Sequence, residues 1–165
     1  MPTVRVVADT PLPPERVLAA AHDFSPRRAE TFPAVSVKRM TVHELGDSSA
    51  DVTEGTRAGP IVNWERCRYD WSRPGSVLAT VIDSNVYAFP GSSWEIKAAP
   101  KSGGSEVEMI WAREFQRGPR GRLFGALFGR IGDRVFDKYA RDTLANLEKL
   151  EGLSPPTEPR PTART

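Results

Sequence analysis

The first residues of the chain have the hydrophobic pattern of a single β-strand. Residues 3–9 alternate between apolar and polar side chains, and one face of this segment consists of Val4, Val6 and Ala8. Such alternation is typical of a strand with one buried face. Prolines at positions 11, 13 and 14 then end the strand, because proline cannot donate a backbone hydrogen bond to a sheet.

Two short helices are predicted after this strand. Pro13 or Pro14 can occupy the first helical turn, where a missing N–H costs nothing, and the helix then extends to about Asp23. Ser25-Pro26 repeats the same starting signal for a second short helix, which ends before Pro33. The inward positions of the first helix are expected to be Val17, Leu18, Ala20 and Ala21.

From residue 35 onward the hydrophobic period changes to two. Turn signals rich in glycine and proline separate most of six alternating segments, which are 35–44, 49–57, 63–72, 76–84, 92–99 and 105–115. Short loops make consecutive strands antiparallel neighbours. The sequence therefore predicts a six-stranded meander and, with the first strand, a sheet of seven strands.

The last long segment is helical. Apolar residues between about 119 and 151 recur close to the 3.6-residue period, so the helix would be on the order of 45 Å long. Gly152 fits a helix end, and two prolines soon after it prevent continuation. The sequence predicts an α+β protein in which this helix covers the apolar face of the sheet, since no other predicted element is long enough.

Length and hydropathy define the domain organisation. The chain has 165 residues, which favours one domain, here 1–153. Residues 154–165 carry four prolines and almost no apolar residue, so we predict a disordered tail. An apolar run long enough to span a bilayer is absent from the sequence, and the N-terminal residues lack the apolar core of a signal peptide. We therefore expect a cytoplasmic protein.

Charge and cysteine content exclude several classes of function. With 23 basic and 21 acidic residues, the chain lacks the strong positive charge of most nucleic-acid-binding proteins, and we expect no such partner. The single cysteine, Cys67, excludes an internal disulfide, and we expect it to be a small buried apolar residue. With only His22 and His43 as imidazole ligands, we expect no zinc site, no other metal and no cofactor.

Three stretches of sequence resemble a known superfamily. They are Trp64-Glu65-Arg66 to Tyr69-Asp70-Trp71, Ser84-Asn85 to Pro90-Gly91-Ser92-Ser93-Trp94-Glu95, and Gly121-Arg122-Leu123. Together with the element order they resemble the START/Bet v 1-like (SRPBCC) helix-grip superfamily, and within it the bacterial polyketide cyclase/dehydrase and lipid-transport group. The resemblance covers about residues 3–151. A lipocalin also joins a meander to a helix, but it has no pair of helices between its first two strands.

This resemblance implies a seven-stranded antiparallel sheet wrapped around the long C-terminal helix, with a hydrophobic small molecule held between them. Ligand pockets are mostly apolar and aromatic. Strand alternation and the helical pattern give the predicted lining as Tyr69, Trp71, Trp94, Ile96, Met109, Trp111, Arg113, Phe128, Ile131 and Val135, with Tyr139 also facing this volume. The alternative is that these side chains fill a solid core.

Three charged residues fall on the faces predicted to point inward. Glu54, Glu65 and Arg113 would be costly there without partners. They can orient a ligand oxygen or form an internal ion pair. A register shifted by one residue would instead place them in solvent.

The first half of the C-terminal helix has an unusual composition. Gly121, Gly125, Gly129 and Gly132 either allow close packing against the sheet or loosen the helix to form a portal. The segment is also basic. We expect no stable insertion into a membrane, but weak contact with anionic lipid is compatible with this charge.

Three functions are compatible with the sequence. The first is binding, transport or sequestration of a lipid, polyketide or aromatic metabolite. The second is a polyketide cyclase/dehydratase-like enzyme, which needs an acid/base residue in the cavity. The third is a protein-interaction module that uses a groove. No pair of acid/base residues stands out in the sequence, which favours binding, and the oligomeric state stays open.

Overall fold

The computed structural model describes residues 2–58, 61–88 and 91–153. Seven strands lie in this part of the chain: β1 (Thr3–Thr10), β2 (Thr41–Leu45), β3 (Ser49–Ala58), β4 (Ile61–Asp70), β5 (Ser76–Ser84), β6 (Ser93–Lys101) and β7 (Gly104–Ala112). The α-helices are α1 (Pro14–Ala21), α2 (Arg28–Thr31) and α3 (Pro119–Leu150). This is the predicted order of a strand, two short helices, six strands and a long helix.

The strands form one antiparallel sheet in the order β1-β7-β6-β5-β4-β3-β2. The predicted meander is confirmed, and β1 joins it beside β7, where Val6 lies opposite Met109. On the neighbouring pair of strands, Trp94 of β6 lies opposite Trp111 of β7. Side chains directly opposite each other share a face of the sheet. The apolar face is therefore continuous across β1, β7 and β6.

The long helix α3 packs across β1 and against α2. Its second half carries the buried residues Ala140, Leu144 and Leu147, which belong to the main hydrophobic core. Full burial of one such leucine contributes about 1.5–3 kcal/mol. The helix-grip fold expected from the sequence is confirmed. No helix in the described ranges is both long and apolar enough to cross a membrane.

The short helix α1 covers a different part of the same face. It contacts β5, β6 and β7, and its buried residues are Val17 and Ala21. The inward face of the sheet is thus divided, with one end beneath α1 and the other beneath α3. A predicted lining residue can therefore reach a cavity beneath α3 only if α1 does not cover it.

The predicted strand 35–44 is wrong in its first half. Residues Val37–Arg39 form a 3-10 turn, and β2 begins only at Thr41. The turn is closed by the backbone N–H of Met40, which donates to the carbonyl of Val37, so this segment cannot pair as a strand. All five residues of β2 are exposed, as befits the edge of the sheet.

Other boundaries differ by a few residues. The first helix ends at Ala21 rather than Asp23, and β7 ends at Ala112 rather than Phe115. The pairing of β7 with β6 ends at Ala112, whereas the Arg113 N–H still donates to the carbonyl of Pro2 on the β1 side. The predicted tail, 154–165, lies outside the described residues, so the domain boundary at 153 stays a prediction.

Candidate functional site

A cavity of about 230 Å³ lies between the sheet and α3. An apolar cavity of about 150 Å³ is already large enough to hold benzene. Its wall is mainly apolar and aromatic, with a few polar side chains. The apolar residues include Phe32, Val35, Trp94, Ile96, Met109, Trp111, Val135, Phe136 and Tyr139. The charged ones in the described part of the chain are Arg28, Glu54, Glu65 and Arg113.

Two facing tryptophans dominate the apolar wall. Trp94 and Trp111 lie opposite each other on β6 and β7, and strand alternation directs both inward. The ring of Trp111 packs against Phe136 of α3, with centroids 4.6 Å apart. It also meets Tyr139 edge to face, with centroids 6.0 Å apart. The cavity therefore has a rigid aromatic side built from strand and helix together.

The structure brings part of the predicted lining together. Trp94, Ile96, Met109, Trp111, Arg113 and Val135 all lie on the cavity wall. Trp94 and Ile96 are buried, whereas Val135 is half exposed and lies where the cavity reaches the surface. That these side chains contact a ligand stays a prediction.

Tyr69 and Trp71 of β4 are not among the residues that line the cavity. Tyr69 is completely buried between the rings of Phe24 and Trp94, at centroid distances of 4.7 and 5.6 Å. Trp71 stacks on His22, with centroids 4.7 Å apart. The connection between α1 and α2 covers this end of β4. Side chains on the inward face of the sheet therefore pack into the core here and do not reach the cavity.

Phe128 and Ile131 of α3 also lie away from this cavity. Phe128 packs against Phe115 and Phe136. Ile131 is 40% exposed. The helical pattern in this segment contains two apolar rows, and Ile131 belongs to the row that faces outward. Both residues border a second, shallower depression beside Val4.

A closed polar network lies at one end of the cavity. The Arg28 Nε–H donates to Glu54 Oε1, and Arg28 Nη2 donates to the Tyr69 hydroxyl at 3.1 Å. The Tyr69 hydroxyl donates in turn to Glu54 Oε2 at 2.6 Å. Arg28 Nη1 donates to the carbonyl oxygens of Ala21 and Asp23 at 3.0 and 3.3 Å. Both carboxylate oxygens and most of the guanidinium donors are thus engaged within the protein.

Aromatic rings enclose the same guanidinium. The Cζ atom of Arg28 lies 4.8 Å from the ring centre of Phe24 and 4.7 Å from that of Phe32. Such cation–π contacts stabilise a desolvated arginine. Arg28 is absent from the predicted site residues, because a charged residue in a short helix usually faces solvent. The sequence feature that could have identified Arg28 as a buried residue is the pair of phenylalanines, Phe24 and Phe32, four residues before and after it.

A second ion pair at the cavity is less complete. Arg113 Nη1 donates to Glu65 Oε2 at 3.1 Å, and the guanidinium lies 4.4 Å from the ring centre of Tyr87. Arg113 is only 4% exposed. Its Nε–H is buried and has no acceptor among the described residues, and the side-chain oxygen of Asn63 likewise lacks a partner there. This part of the wall retains hydrogen-bonding capacity.

Glu65 is the cavity carboxylate with a perturbed acidity. Burial raises its pKa, the nearby Arg113 opposes this effect, and the like charge of Glu54 adds to it. Glu54 and Glu65 are directly opposite each other on β3 and β4. Two like charges in such a position repel. The cavity therefore holds one carboxylate that gives up its proton less readily than usual.

Comparison with known proteins identifies the family of this chain. Residues 1–150 match the family model for polyketide cyclase / dehydrase and lipid transport. The chain belongs to this family. Membership supports the binding of hydrophobic ligands, and an activity of the cyclase kind is not better supported than binding. No curated protein sequence matches the chain.

Solved structures agree with this polyketide cyclase/dehydrase family assignment at the level of the fold. A Thermus thermophilus protein aligns with a TM-score of 0.71 and 18% identity, over 93% of this chain and 100% of that one. A START superfamily protein from Mycobacterium smegmatis aligns at 0.70 and 10% identity, over 90% and 98%. The Zhui aromatase/cyclase of a Streptomyces species aligns at 0.70 and 13% identity, over 90% and 94%.

The cysteine and the two histidines of this family member are not among the residues that line the cavity. Cys67 is 1% exposed, and burial raises the pKa of its thiol well above the usual range, so it is a poor nucleophile. Burial lowers the pKa of His22, which stacks on Trp71. His43 Nε2 lies 2.8 Å from the Thr53 hydroxyl. Within the described ranges, no cluster of three His, Cys, Asp or Glu side chains could hold a metal ion.

Proposed function

We propose that this protein binds a hydrophobic small molecule in the cavity between the sheet and α3. The observation that carries the proposal is an unfilled, mainly aromatic space at the position where the fold joins sheet and helix. Burying apolar ligand surface there contributes about 25 cal/mol per Å². The cavity volume suits a lipid fragment, a short polyketide or an aromatic metabolite of about two rings.

A cyclase- or dehydratase-like activity is the alternative function. The observation in its favour is the raised pKa of Glu65, because a carboxyl group that holds its proton can act as a general acid. Against it, neither histidine of the chain is among the lining residues, and Arg113 holds the Glu65 carboxylate. Binding is therefore the better-supported function. A protein-interaction module is the third candidate, and the pocket shape does not decide against it, because the cavity opens to the surface beside Val135.

The test is a cavity-filling substitution. The apolar fluorescent probe N-phenyl-1-naphthylamine should bind the protein at micromolar concentrations. Ile96→Phe adds bulk to the cavity wall and should weaken this binding by about tenfold or more, because the added atoms occupy the ligand volume. Native mass spectrometry of the protein purified from its host should also reveal a bound small molecule.

The matched control for this experiment is Val42→Phe. Val42 is 39% exposed on the edge strand β2, so the same addition of an aromatic ring leaves the cavity unchanged. Equal affinities for the probe in both variants and the unchanged protein would contradict the proposal. The absence of probe binding at tens of micromolar would contradict it as well.

We also propose weak contact of α3 with anionic membranes. Leu123, Leu127, Ile131 and Val135 form a row at four-residue spacing and are 59, 48, 40 and 50% exposed. A neighbouring row of the helix contains the exposed residues Arg122, Arg130 and Arg134. Aliphatic side chains beside cationic ones are typical of helices that lie in a membrane interface. Because Val135 also lines the cavity, such contact would bring the cavity mouth to the bilayer.

Vesicles provide the test of this contact. The protein should sediment with vesicles that contain phosphatidylserine but not with pure phosphatidylcholine, and salt should weaken the association. Leu127→Glu should abolish it, whereas Leu45→Glu, at an exposed position of β2, should not. Equal sedimentation of both variants would contradict the contact. The cytoplasmic location and the absence of a nucleic-acid partner stay predictions from the sequence.

A further inference from the structure

We propose that the ligand is electrically neutral and presents an uncharged oxygen acceptor, such as a ketone or ester carbonyl, to Arg113. The cavity then selects neutral carbonyl compounds over carboxylic acids of the same shape. This inference rests on the proposed binding function and specifies the chemical class of its ligand.

The charges on the cavity wall are balanced. Among the described side chains, the charged ones on this wall are two arginines, Arg28 and Arg113, and two glutamates, Glu54 and Glu65. Each arginine already forms an ion pair with one glutamate. A neutral ligand leaves this balance intact. A carboxylate ligand would instead add an uncompensated negative charge to a space of low polarity, which is costly.

The two arginines differ in how many of their N–H donors are already engaged. Arg28 donates to Glu54, to Tyr69 and to two backbone carbonyl oxygens, so little of its donor capacity is left. Arg113 makes one bond to Glu65, and its buried Nε–H has no acceptor in the described part of the chain. A guanidinium carries five N–H donors. A small rotation of Arg113 can therefore offer a donor to a ligand oxygen while Glu65 keeps the charge compensated.

An acidic ligand would require a change in the charge of the cavity wall. Glu65 on β4 faces Arg113, and the charges of Glu54 on β3 and Arg28 on α2 also act on its pKa. Tyr87 lies against Arg113 on the other side. If Glu65 takes up a proton, the wall gains a net positive charge and can accept an anion. An acid should therefore bind with uptake of about one proton and more weakly as the pH rises, while a neutral ketone should bind independently of pH.

Three bicyclic probes of similar shape separate these possibilities. 2-Acetylnaphthalene is a neutral acceptor, 2-naphthoate is an anion, and 2-ethylnaphthalene has no acceptor. Calorimetry in buffers of different ionisation enthalpy gives both affinity and proton uptake. At neutral pH we expect the ketone to bind about tenfold more tightly than the hydrocarbon, because it gains a hydrogen bond to a charged donor. We expect naphthoate to bind more weakly than the ketone and with proton uptake.

Substitution of Glu65 should reverse this selectivity. Glu65→Gln is nearly isosteric and removes the compensating charge, so naphthoate should bind about tenfold or more tightly than to the unchanged protein and without proton uptake. Arg113→Met should abolish the advantage of the ketone over the hydrocarbon. Arg5→Gln is the control, because Arg5 pairs with Glu108 and its side chain is 63% exposed. This variant should bind all three probes as the unchanged protein does.

Some outcomes would overturn the inference while leaving the proposed binding function intact. These are equal affinity for ketone and hydrocarbon, naphthoate binding as tight as ketone binding without proton uptake, or unchanged selectivity in Glu65→Gln. Failure of all three probes to bind would overturn the proposed function and this inference together. If Arg113→Met does not fold, the result for Glu65→Gln still decides the question.

Discussion

Glu54 and Glu65 lie directly opposite each other on β3 and β4, and an arginine from another part of the chain binds each carboxylate. Arg28 reaches Glu54 from α2, and Arg113 reaches Glu65 from the segment after β7. Without these arginines the paired carboxylates would repel each other at the cavity wall. The two ion pairs therefore have a structural role, and they connect distant segments across the sheet.

The first prediction concerns the closed network. Arg28→Met should lower the free energy of unfolding by about 3–5 kcal/mol, because it leaves the buried Glu54 carboxylate without its counterion. Adding Glu54→Leu to this variant should recover much of the loss, since the unpaired charge is then removed. Urea unfolding followed by tryptophan fluorescence measures both effects.

An exposed ion pair is the control for this prediction. Arg141 pairs with Asp137 one helical turn earlier at 2.9 Å, and both side chains are about half exposed. Arg141→Met should change the free energy of unfolding by less than about 0.5 kcal/mol. An equally small effect of Arg28→Met would show that the Arg28 network does not contribute to stability.

The second prediction concerns His22, whose ring stacks on Trp71. Burial lowers the pKa of His22, so folding favours the neutral imidazole. This contribution to stability is fully present above the ordinary pKa of 6.5 and is lost as the pH falls below 6.5 and through the lower folded-state pKa. An NMR titration should show a pKa below 6.5 for His22. Trp71→Ala should raise this pKa toward 6.5, whereas Trp71→Phe, which keeps an aromatic ring, should raise it less.

The third prediction compares two carboxyl groups whose pKa values are shifted in opposite directions. Burial raises the pKa of Glu65, so its stabilising contribution is full below the ordinary value of 4.5 and is lost as the pH rises through the folded-state pKa. The hydrogen bond from Arg66 lowers the pKa of Asp51, so that contribution is full above 3.8 and is lost as the pH falls.

The measurement is the free energy of unfolding against pH for the unchanged protein, Glu65→Gln and Asp51→Asn. Relative to Glu65→Gln, the unchanged protein should lose stability as the pH rises above 4.5. Relative to Asp51→Asn, it should lose stability as the pH falls below 3.8. Slopes of the same sign for the two comparisons would contradict the assigned shifts.

The order of the elements could be predicted from sequence because local signals mark it. Alternation identifies β1 and β3 to β7, and proline and glycine mark most of their ends. The segment 35–40 has the alternating apolar residues of a strand, although its backbone forms a 3-10 turn at Val37–Arg39. The Ser36 N–H donates to the carbonyl of Gly55, and this tertiary contact carries no local sequence signal.

The candidate site was predictable in its strands and less so in its helices. Alternation directs Trp94, Trp111 and Arg113 inward, and the structure places them on the cavity wall. Alternation alone cannot reveal that α1 and the loop after it cover the end of β4. Tyr69 and Trp71 were therefore assigned to the cavity although they lie beneath that cover.

The fourth prediction uses two glycines of α3 as a matched pair. Gly129 is exposed in the helix interior, and a Cβ atom there would meet nothing within 4 Å. Gly129→Ala should stabilise the protein by up to about 1 kcal/mol, because alanine restricts the unfolded chain and favours the helix. Gly121 is buried in the first turn, where a Cβ atom would overlap the carbonyl oxygen of Gln116.

Gly121→Ala should therefore destabilise the protein by about 1–3 kcal/mol, since backbone atoms must move to admit the methyl group. The same substitution eight residues apart thus has opposite signs in urea unfolding. Stabilisation by both substitutions would contradict the close approach of the α3 N-terminus to Gln116. Gly121 would then be replaceable like any exposed helical glycine. The segment between β7 and α3, which contains Arg113 and Gln116, would then not pack closely against the helix at Gly121.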